Sequence, residues 1–289
     1  MQQPFFTGVC TALVTPFING EVNFPMMEQL LRRQIQAGIT SVVIAGTTGE
    51  ASTLSDEEKL ELFRRCKKYA GNQCKIIAGT GSNNTSHAVA LSKAAQQTGV
   101  DGLLVVSPYY NKTNTDGLIA HYLSIAHCVD IPIILYNVPS RTGLDMPVSV
   151  YQQLSHVSNI VGVKEASTDI RKIAKIHCAC TESFSTWSGN DDMAVPAISL
   201  GCSGLISVLS NICPTETQTM VEAALSADYH TAAAMQKQLQ PLMDLLCSDV
   251  NPIPIKEAMS CIGYDCGPCR LPLAPMLPQQ KEALHAFLS

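Results

Sequence analysis

Residues 98–105 read Thr-Gly-Val-Asp-Gly-Leu-Leu-Val, and this stretch joins a helix end, a glycine and a buried strand. Glycine often ends helices because it adopts a left-handed backbone conformation without steric cost. The same joint recurs at residues 37–44 (Ala-Gly-Ile-Thr-Ser-Val-Val-Ile) and at residues 200–207 (Leu-Gly-Cys-Ser-Gly-Leu-Ile-Ser). A helix followed by a buried strand is therefore a repeating unit of this chain.

Short aliphatic or β-branched runs recur at intervals of roughly 20 to 35 residues, separated by stretches with helical spacing. The runs are continuously apolar rather than alternating, which indicates parallel strands buried on both faces. Eight parallel strands separated by helices predict an α/β fold, the (β/α)8 barrel. The runs begin near Gly8, Thr40, Lys75, Gly102, Pro132, Ile160, Phe184 and Gly204.

The strand signals stop after about Asn211, and helical stretches remain near residues 215–248, 253–262 and 275–288. No linker rich in Gly and Ser divides the preceding part. We expect a barrel over residues 1–224 and a helical C-terminal domain over residues 225–289. Ser55 and Glu58 have the spacing of a capping box, and Pro147 suits a first helical turn.

Composition excludes several classes of protein. The 289 residues are 46% hydrophobic and 15% charged, which is ample for a large core. A net charge of -5 without long basic blocks gives no reason to expect nucleic acid or an anionic membrane as partner. The first residues lack the pattern of a secretion signal, and no run reaches the roughly 18 apolar residues of a membrane span. We expect a cytoplasmic protein that binds small molecules.

The sequence contains 12 cysteines, scattered over strand-like and helix-like segments. In a reducing compartment most of them act as small buried hydrophobic residues. Cys261, Cys266 and Cys269 include a Cys-x-x-Cys spacing that suits zinc or redox chemistry, but a closed zinc site needs a fourth ligand and the second pair is absent. We therefore predict no metal site.

The functional groups of a parallel barrel lie at the C-terminal ends of its strands. Lys164 ends the run at residues 160–164 (Ile-Val-Gly-Val-Lys) above an apolar interior. A lysine amine attacks a carbonyl only when it is neutral, and an apolar mouth disfavours its charged form. A lysine that extends to solvent from a strand end is the alternative interpretation.

Other polar residues end neighbouring runs. Tyr136 follows the fifth run, and residues 46–50 (Gly-Thr-Thr-Gly-Glu) follow the second, where Thr47 and Thr48 offer hydroxyls. Neither feature alone indicates an active site, since a tyrosine can simply pack in the core and a Gly-Thr-Thr-Gly turn can simply cap a helix. With Arg141, a bidentate carboxylate ligand, they form a coherent set for aldol-type chemistry on a 2-oxo acid.

The chain resembles the dihydrodipicolinate synthases, a branch of the pyruvate-dependent class I aldolases that also include N-acetylneuraminate lyase. The likeness covers nearly the whole chain. It rests on residues 8–17, 46–51 (Gly-Thr-Thr-Gly-Glu-Ala), 78–83, 107–112, 136–143 (Tyr-Asn-Val-Pro-Ser-Arg-Thr-Gly), 162–166 (Gly-Val-Lys-Glu-Ala), 188–191 and 251–256.

The resemblance implies that Lys164 binds pyruvate as a covalent imine and that no further cofactor is used. Thr48, Tyr136 and Tyr110 would form a proton relay, with Tyr110 reaching into the site of a neighbouring subunit. The implied assembly is a homotetramer built as a dimer of dimers.

The second substrate implied by the resemblance is L-aspartate 4-semialdehyde, whose carboxylate Arg141 would hold. This arginine distinguishes the synthases from the sialic acid lyases. The implied product is 4-hydroxy-tetrahydrodipicolinate, in lysine and diaminopimelate biosynthesis. Thr47, Gly189 and Ile206 would line the pyruvate pocket.

A regulatory cavity for lysine is also implied, lined here by Ala51, Ser52, Asn83, His87 and Tyr109. In lysine-inhibited members a glutamate stands where this sequence has His87, and a histidine is replaced by Lys59. A lost acceptor and a gained cation weaken binding of a cationic amino acid. We predict weak or absent inhibition by L-lysine.

Two other functions remain open from the sequence. The first is a pyruvate aldolase of the same fold that acts on a sugar-derived aldehyde, of the N-acetylneuraminate or 2-keto-3-deoxy sugar acid type. The second is a catalytically silent barrel that acts as a sensor. A metal-dependent hydrolase fits worst, since no run ends in His-x-His.

Overall fold

The computed structural model describes residues 3–289. Its central feature is a closed barrel of eight parallel strands, in the order β1-β10-β9-β8-β7-β6-β5-β4, so the (β/α)8 fold is confirmed. A two-stranded antiparallel hairpin, β2 and β3, follows β1. The strands are β1 (Gly8–Ala12), β2 (Phe17–Ile18), β3 (Glu21–Val22), β4 (Ser41–Ile44), β5 (Lys75–Gly79), β6 (Gly102–Val106), β7 (Ile133–Asn137), β8 (Ile160–Glu165), β9 (Ser185–Ser188) and β10 (Gly204–Ser207).

Helices surround the barrel and form the C-terminal part, together with short 3-10 turns at Ala51–Thr53, Asp191–Met193 and Leu209–Asn211. The α-helices are α1 (Phe24–Gln36), α2 (Asp56–Ala70), α3 (Thr85–Gln97), α4 (Thr115–Ala126), α5 (Pro139–Thr142), α6 (Val148–Leu154), α7 (Arg171–Ala179), α8 (Ala194–Ser199), α9 (Pro214–Leu225), α10 (Tyr229–Leu246), α11 (Ile253–Cys261) and α12 (Pro278–Leu288). Among residues 3–289, no helix combines the length and apolar character that crossing a membrane requires.

The glycine joints behave as the sequence predicts. Gly38, Gly99 and Gly201 have φ angles of 85°, 84° and 105°, values at which a Cβ would be strained. The capping box of Ser55 is confirmed at the start of α2. The prediction for Pro147 is wrong by one residue: its backbone is extended, with ψ at 148°, so it precedes α6 instead of forming its first turn.

The sequence predicts one helical stretch over residues 215–248, and this prediction is wrong, because the structure has two helices there, α9 and α10. Ala227 adopts a positive φ of 62° between α9 and α10, and the side chain of Asp228 caps α10 by accepting from Thr231 N. Helix α9 packs against β1, as a helix of the barrel ring does. The domain boundary at residue 224 falls in the last turn of α9 and stays a prediction.

The barrel interior is an apolar cluster separate from the larger core between strands and helices. Near its base Phe6 stacks on Trp187 with ring centroids 4.7 Å apart, and the indole nitrogen donates to the Phe6 carbonyl at 3.1 Å. Strands buried on both faces leave the carboxyl-terminal mouth as the place where polar side chains meet.

Candidate active site

Lys164 and Tyr136 lie side by side on β8 and β7. They are register partners in the parallel pair, so both side chains lie on the same face of the sheet. Lys164 is 5% exposed, and its Nζ lies 4.5 Å from the centre of the Tyr136 ring. No carboxylate of residues 3–289 forms a salt bridge with this amine. The amine is therefore buried beside a phenol ring and has no ion-pair partner.

Space for the Lys164 side chain depends on a glycine after β9. A Cβ at Gly189 would lie 3.1 Å from Lys164 Cε and 2.6 Å from Ala166 Cβ. The backbone nitrogen of Gly189 donates to the Glu165 carbonyl at 2.7 Å, which fixes the loop against β8. A larger residue here would displace the lysine.

Buried polar contacts on the far side of β8 fix the ends of β7 and β8. Glu165 accepts hydrogen bonds from Asn137 Nδ2 at 2.8 Å and from Tyr151 Oη at 3.1 Å. Burial, reinforced by the negative charge of Glu165, raises the pKa of Tyr151 well above its usual value, so the phenol stays a donor. These bonds hold the strand ends that carry Tyr136 and Lys164.

The loop after β4 is anchored by a buried ion pair. Glu50 has a positive φ of 56°, and its carboxylate accepts from Lys256 Nζ at 2.8 Å. Both side chains are almost fully buried. Thr15 Oγ1 also donates to the Gly49 carbonyl at 2.7 Å. The loop carrying Thr48 is thus tied to α11, in the C-terminal part of the chain.

Asn251 connects this loop to the short helix α5, which follows β7. Its Nδ2 donates to Thr48 Oγ1 at 3.0 Å, and its backbone oxygen accepts from Arg141 Nη2 at 3.0 Å. Because the Thr48 oxygen accepts from the amide, its own hydrogen is free to be donated elsewhere. Asn251 Oδ1 is buried without a hydrogen-bond partner among the described residues.

Asp191 holds the end of β10 on the opposite side of the mouth. Its carboxylate accepts from Ser207 Oγ at 2.5 Å and from the backbone nitrogens of Val208 and Leu209 at 3.0 and 3.2 Å. Burial raises its pKa, against the opposing effects of these bonds and of the positive charge of Lys164.

A cavity of about 700 Å³ opens at this mouth. Six of the residues expected to bind or transform substrate line it together, although they come from five separate elements: the loop after β4, β7, α5, β8 and the loop after β9. They are Thr47, Thr48, Tyr136, Arg141, Lys164 and Gly189.

Ile206 and Tyr110 lie elsewhere. Ile206 is fully buried in the barrel-interior cluster that also contains Tyr136 and Ala166, so it belongs to the apolar wall. Tyr110 is 92% exposed, has a positive φ of 68° and does not line this cavity.

The expected regulatory residues line a second cavity, of about 640 Å³, together with Lys59. They are Ala51, Ser52, Asn83, His87 and Tyr109. The two cavities share five lining residues: Thr47, Tyr136, Val138, Arg141 and Asn251. His87 Nε2 lies 2.7 Å from Asp56 Oδ2 and Lys59 Nζ lies 3.4 Å from Asp56 Oδ1, so this carboxylate is already engaged.

Four residues of this site have no role predicted from the sequence: Asn251, Asp191, Glu50 and Lys256. All four stand inside stretches that carry the family resemblance, which was a signal that they matter. Their partners, however, are up to 220 positions away along the chain, as in the hydrogen bond from the backbone nitrogen of Arg270 to the Glu50 carboxylate. Such a pairing cannot be read from local spacing.

The profile of the dihydrodipicolinate synthetase family matches residues 5–289. The chain belongs to this family. A relative from Thermoanaerobacter sp., named 4-hydroxy-tetrahydrodipicolinate synthase, is 48% identical over 287 residues, which is 99% of this chain and 97% of the relative. The predicted family membership is therefore confirmed, and so is the prediction that the protein is an enzyme of this type.

Solved structures of family members superpose closely on this barrel. The dihydrodipicolinate synthase of Aquifex aeolicus has a TM-score of 0.96 at 39% identity, with 98% of this chain and 97% of that chain covered. The chloride-inhibited dihydrodipicolinate synthase of Acinetobacter baumannii, complexed with pyruvate, has a TM-score of 0.95 at 38% identity, with 98% of each chain covered.

Proposed function

We propose that this enzyme condenses pyruvate with L-aspartate 4-semialdehyde to give 4-hydroxy-tetrahydrodipicolinate, through an imine on Lys164. The observation that carries the proposal is the buried amine of Lys164 beside the Tyr136 phenol at the mouth of an apolar barrel. A related family member complexed with pyruvate supports this choice of first substrate.

The first half-reaction activates pyruvate. The neutral Lys164 amine attacks the C2 carbonyl, and the carbonyl oxygen leaves as water after it has been protonated. Tyr136, whose ring centre lies 4.5 Å from Lys164 Nζ, is the candidate to move these protons, and Thr48 has a free hydroxyl hydrogen to pass on. Loss of a proton from C3 converts the imine to an enamine. The imine itself accepts the electron pair, so no separate cofactor is required.

The second half-reaction forms the carbon–carbon bond. C3 of the enamine attacks the aldehyde carbon of the semialdehyde, and the resulting oxyanion takes a proton. The amino group of the same substrate then attacks the imine carbon, which closes the ring and releases Lys164 as a free amine. The overall reaction loses one water, the one expelled during imine formation.

Two groups of residues orient the substrates in this proposal. Thr47 and Thr48 hold the pyruvate carboxylate through hydroxyl and amide donors, with Gly189 and Ile206 shaping the pocket around the methyl group. Arg141 holds the semialdehyde carboxylate with its planar pair of donors. The Asn251 carbonyl, which accepts from Arg141 Nη2, sets the position of that guanidinium.

The third member of the relay, Tyr110, is proposed to come from a neighbouring subunit. An aromatic side chain that is 92% exposed, on a backbone with positive φ, is costly unless a partner covers it. This supports a tight dimer in which each Tyr110 enters the other cavity; the homotetramer built from two such dimers is proposed from the family resemblance.

Turnover with a panel of aldehydes tests the function. With pyruvate present, the enzyme is expected to act on L-aspartate 4-semialdehyde at a kcat/KM far above that for N-acetylmannosamine or glyceraldehyde. Arg141→Ala is expected to raise KM for the semialdehyde without raising KM for pyruvate. Faster turnover of a sugar-derived aldehyde would favour the sugar-acid aldolase instead.

A further inference from the structure

Three potential metal ligands meet on the C-terminal helices, apart from both cavities. Glu257 and Cys261 are one turn apart on α11 and so share a face of that helix, and His285 faces them from α12. One ligand atom from each residue lies within 4.8 Å of the other two. His285 Nε2 already contacts Glu257 Oε1 at 2.6 Å.

We propose that Glu257, Cys261 and His285 bind a zinc ion that joins α12 to α11. A thiolate, an imidazole and a carboxylate form a donor set that suits zinc, whereas calcium and magnesium prefer oxygen ligands alone. Zinc bonds of about 2.0 to 2.3 Å place tetrahedral ligands roughly 3.3 to 3.8 Å apart. The cluster therefore closes around the ion with small rotations of partly exposed side chains, and water completes the fourth position.

This site differs from the zinc site that was considered, and rejected, from the cysteine spacing in the sequence. There, Cys261 stood beside Cys266 and Cys269. In the structure Cys266 is buried and Cys269 is half-buried, whereas Cys261 is exposed. Cys261 instead lies among residues of α11 and α12. The second ligand pair that the sequence lacks is replaced by groups 4 and 24 positions from Cys261, at Glu257 and His285.

Lys281 is the natural competitor for this ion. Its Nζ lies 2.9 Å from Glu257 Oε1, and its side chain is 49% exposed. The carboxylate therefore holds a cation already, and this cation can move into solvent when zinc displaces it. Removing the ammonium should strengthen zinc binding, because the charge that repels the ion is lost.

Cobalt serves as the spectroscopic probe for the full-length enzyme. Co²⁺ titration is expected to give one equivalent with thiolate-to-metal charge-transfer absorption, and Zn²⁺ is expected to displace it. Cys261→Ser should abolish the absorption, and His285→Gln should raise the Kd at least about tenfold, a loss of ~1.4 kcal/mol. The matched control is Cys178→Ser on α7, an exposed cysteine that should leave the titration unchanged.

Two outcomes of this titration would overturn the proposal. One is absorption that survives in Cys261→Ser. The other is the absence of one-to-one binding in the wild-type enzyme. The Lys281→Gln variant gives a further test. A lower Kd for the metal in this variant would support the proposal, and a higher Kd would contradict the competition by Lys281.

Thermal unfolding provides an independent readout that does not depend on catalysis. A ligand that binds the folded state raises its Tm. Zn²⁺ should therefore raise the Tm of the wild type and of Cys178→Ser, and leave that of Cys261→Ser unchanged. An equal rise in all three proteins would place the ion elsewhere and refute the site.

Discussion

Asn251 donates from its side-chain amide to the hydroxyl oxygen of Thr48, at 3.0 Å, although the two residues are 203 positions apart. The same residue accepts from Arg141 through its backbone oxygen. One residue of the segment between α10 and α11 therefore contacts two residues proposed to bind the two different substrates. The C-terminal part of the chain completes the mouth of the barrel.

Replacing Asn251 with Ala should lower kcat/KM for the semialdehyde by roughly 10- to 100-fold, which corresponds to a loss of ~1.4 to 2.8 kcal/mol in transition-state stabilisation. The physical reason is that Thr48 loses the donor that directs its hydroxyl hydrogen. Asn251→Asp keeps the size but cannot donate, so it should behave similarly. Steady-state kinetics checks this, and an Asp variant with wild-type kinetics would show that the direction of this bond is unimportant.

Breaking the Glu50–Lys256 pair should strongly destabilise the protein. Removing one partner leaves a buried charge uncompensated, at a cost of about 3–5 kcal/mol. Lys256→Met and Glu50→Gln should each lower the Tm, and the double variant should lose less than the sum of the two. Strictly additive losses in thermal unfolding would mean that the pair is not coupled.

Stability should fall in mild acid because of His121. Burial lowers its folded pKa to about 4, whereas the unfolded value is about 6.5. The unfolded chain therefore binds more protons between these values, so this contribution is complete above pH ~6.5 and declines as pH falls toward ~4.

Urea unfolding at about pH 7.5 and about pH 5 tests this assignment. His121→Gln should lose less stability between the two conditions than the wild type loses. The exposed His230→Gln serves as the matched control and should keep the wild-type difference. If the two variants respond alike, His121 is not the group responsible.

Inhibition by L-lysine should be weak, with no half-maximal effect below about 1 mM, because Lys59 places a like charge in the second cavity. The neighbouring Asp56 carboxylate is engaged by His87 and Lys59 and is a poor substitute acceptor. His87→Glu combined with Lys59→His should lower the half-inhibitory concentration by about tenfold. Inhibition of the wild type at sub-millimolar lysine would refute the prediction.

Much of the fold was predictable because its signals are local. Apolar runs for parallel strands and glycine joints such as Gly99 need only neighbouring residues, and all eight strands begin within one residue of the expected positions. The break at Ala227 was missed. A non-glycine residue with positive φ leaves no clear mark in the sequence, and the helical spacing continues on both sides.

The site was predictable where a reactive side chain lies at the end of a strand. Lys164 and Tyr136 could be paired because parallel strands end at one rim. The contacts of Asn251 and of Lys256 could not be predicted, since they depend on how the C-terminal helices return to the barrel. That return is determined by tertiary packing rather than by local pattern.

Borohydride reduction in the presence of pyruvate tests the central claim most directly, with intact-mass measurement followed by peptide mapping. The wild-type enzyme should gain one reduced pyruvate adduct, located on the peptide that contains Lys164. Lys164→Ala should gain none and should lose condensation activity. An adduct on another lysine, or pyruvate consumption that persists in the alanine variant, would contradict the proposed mechanism.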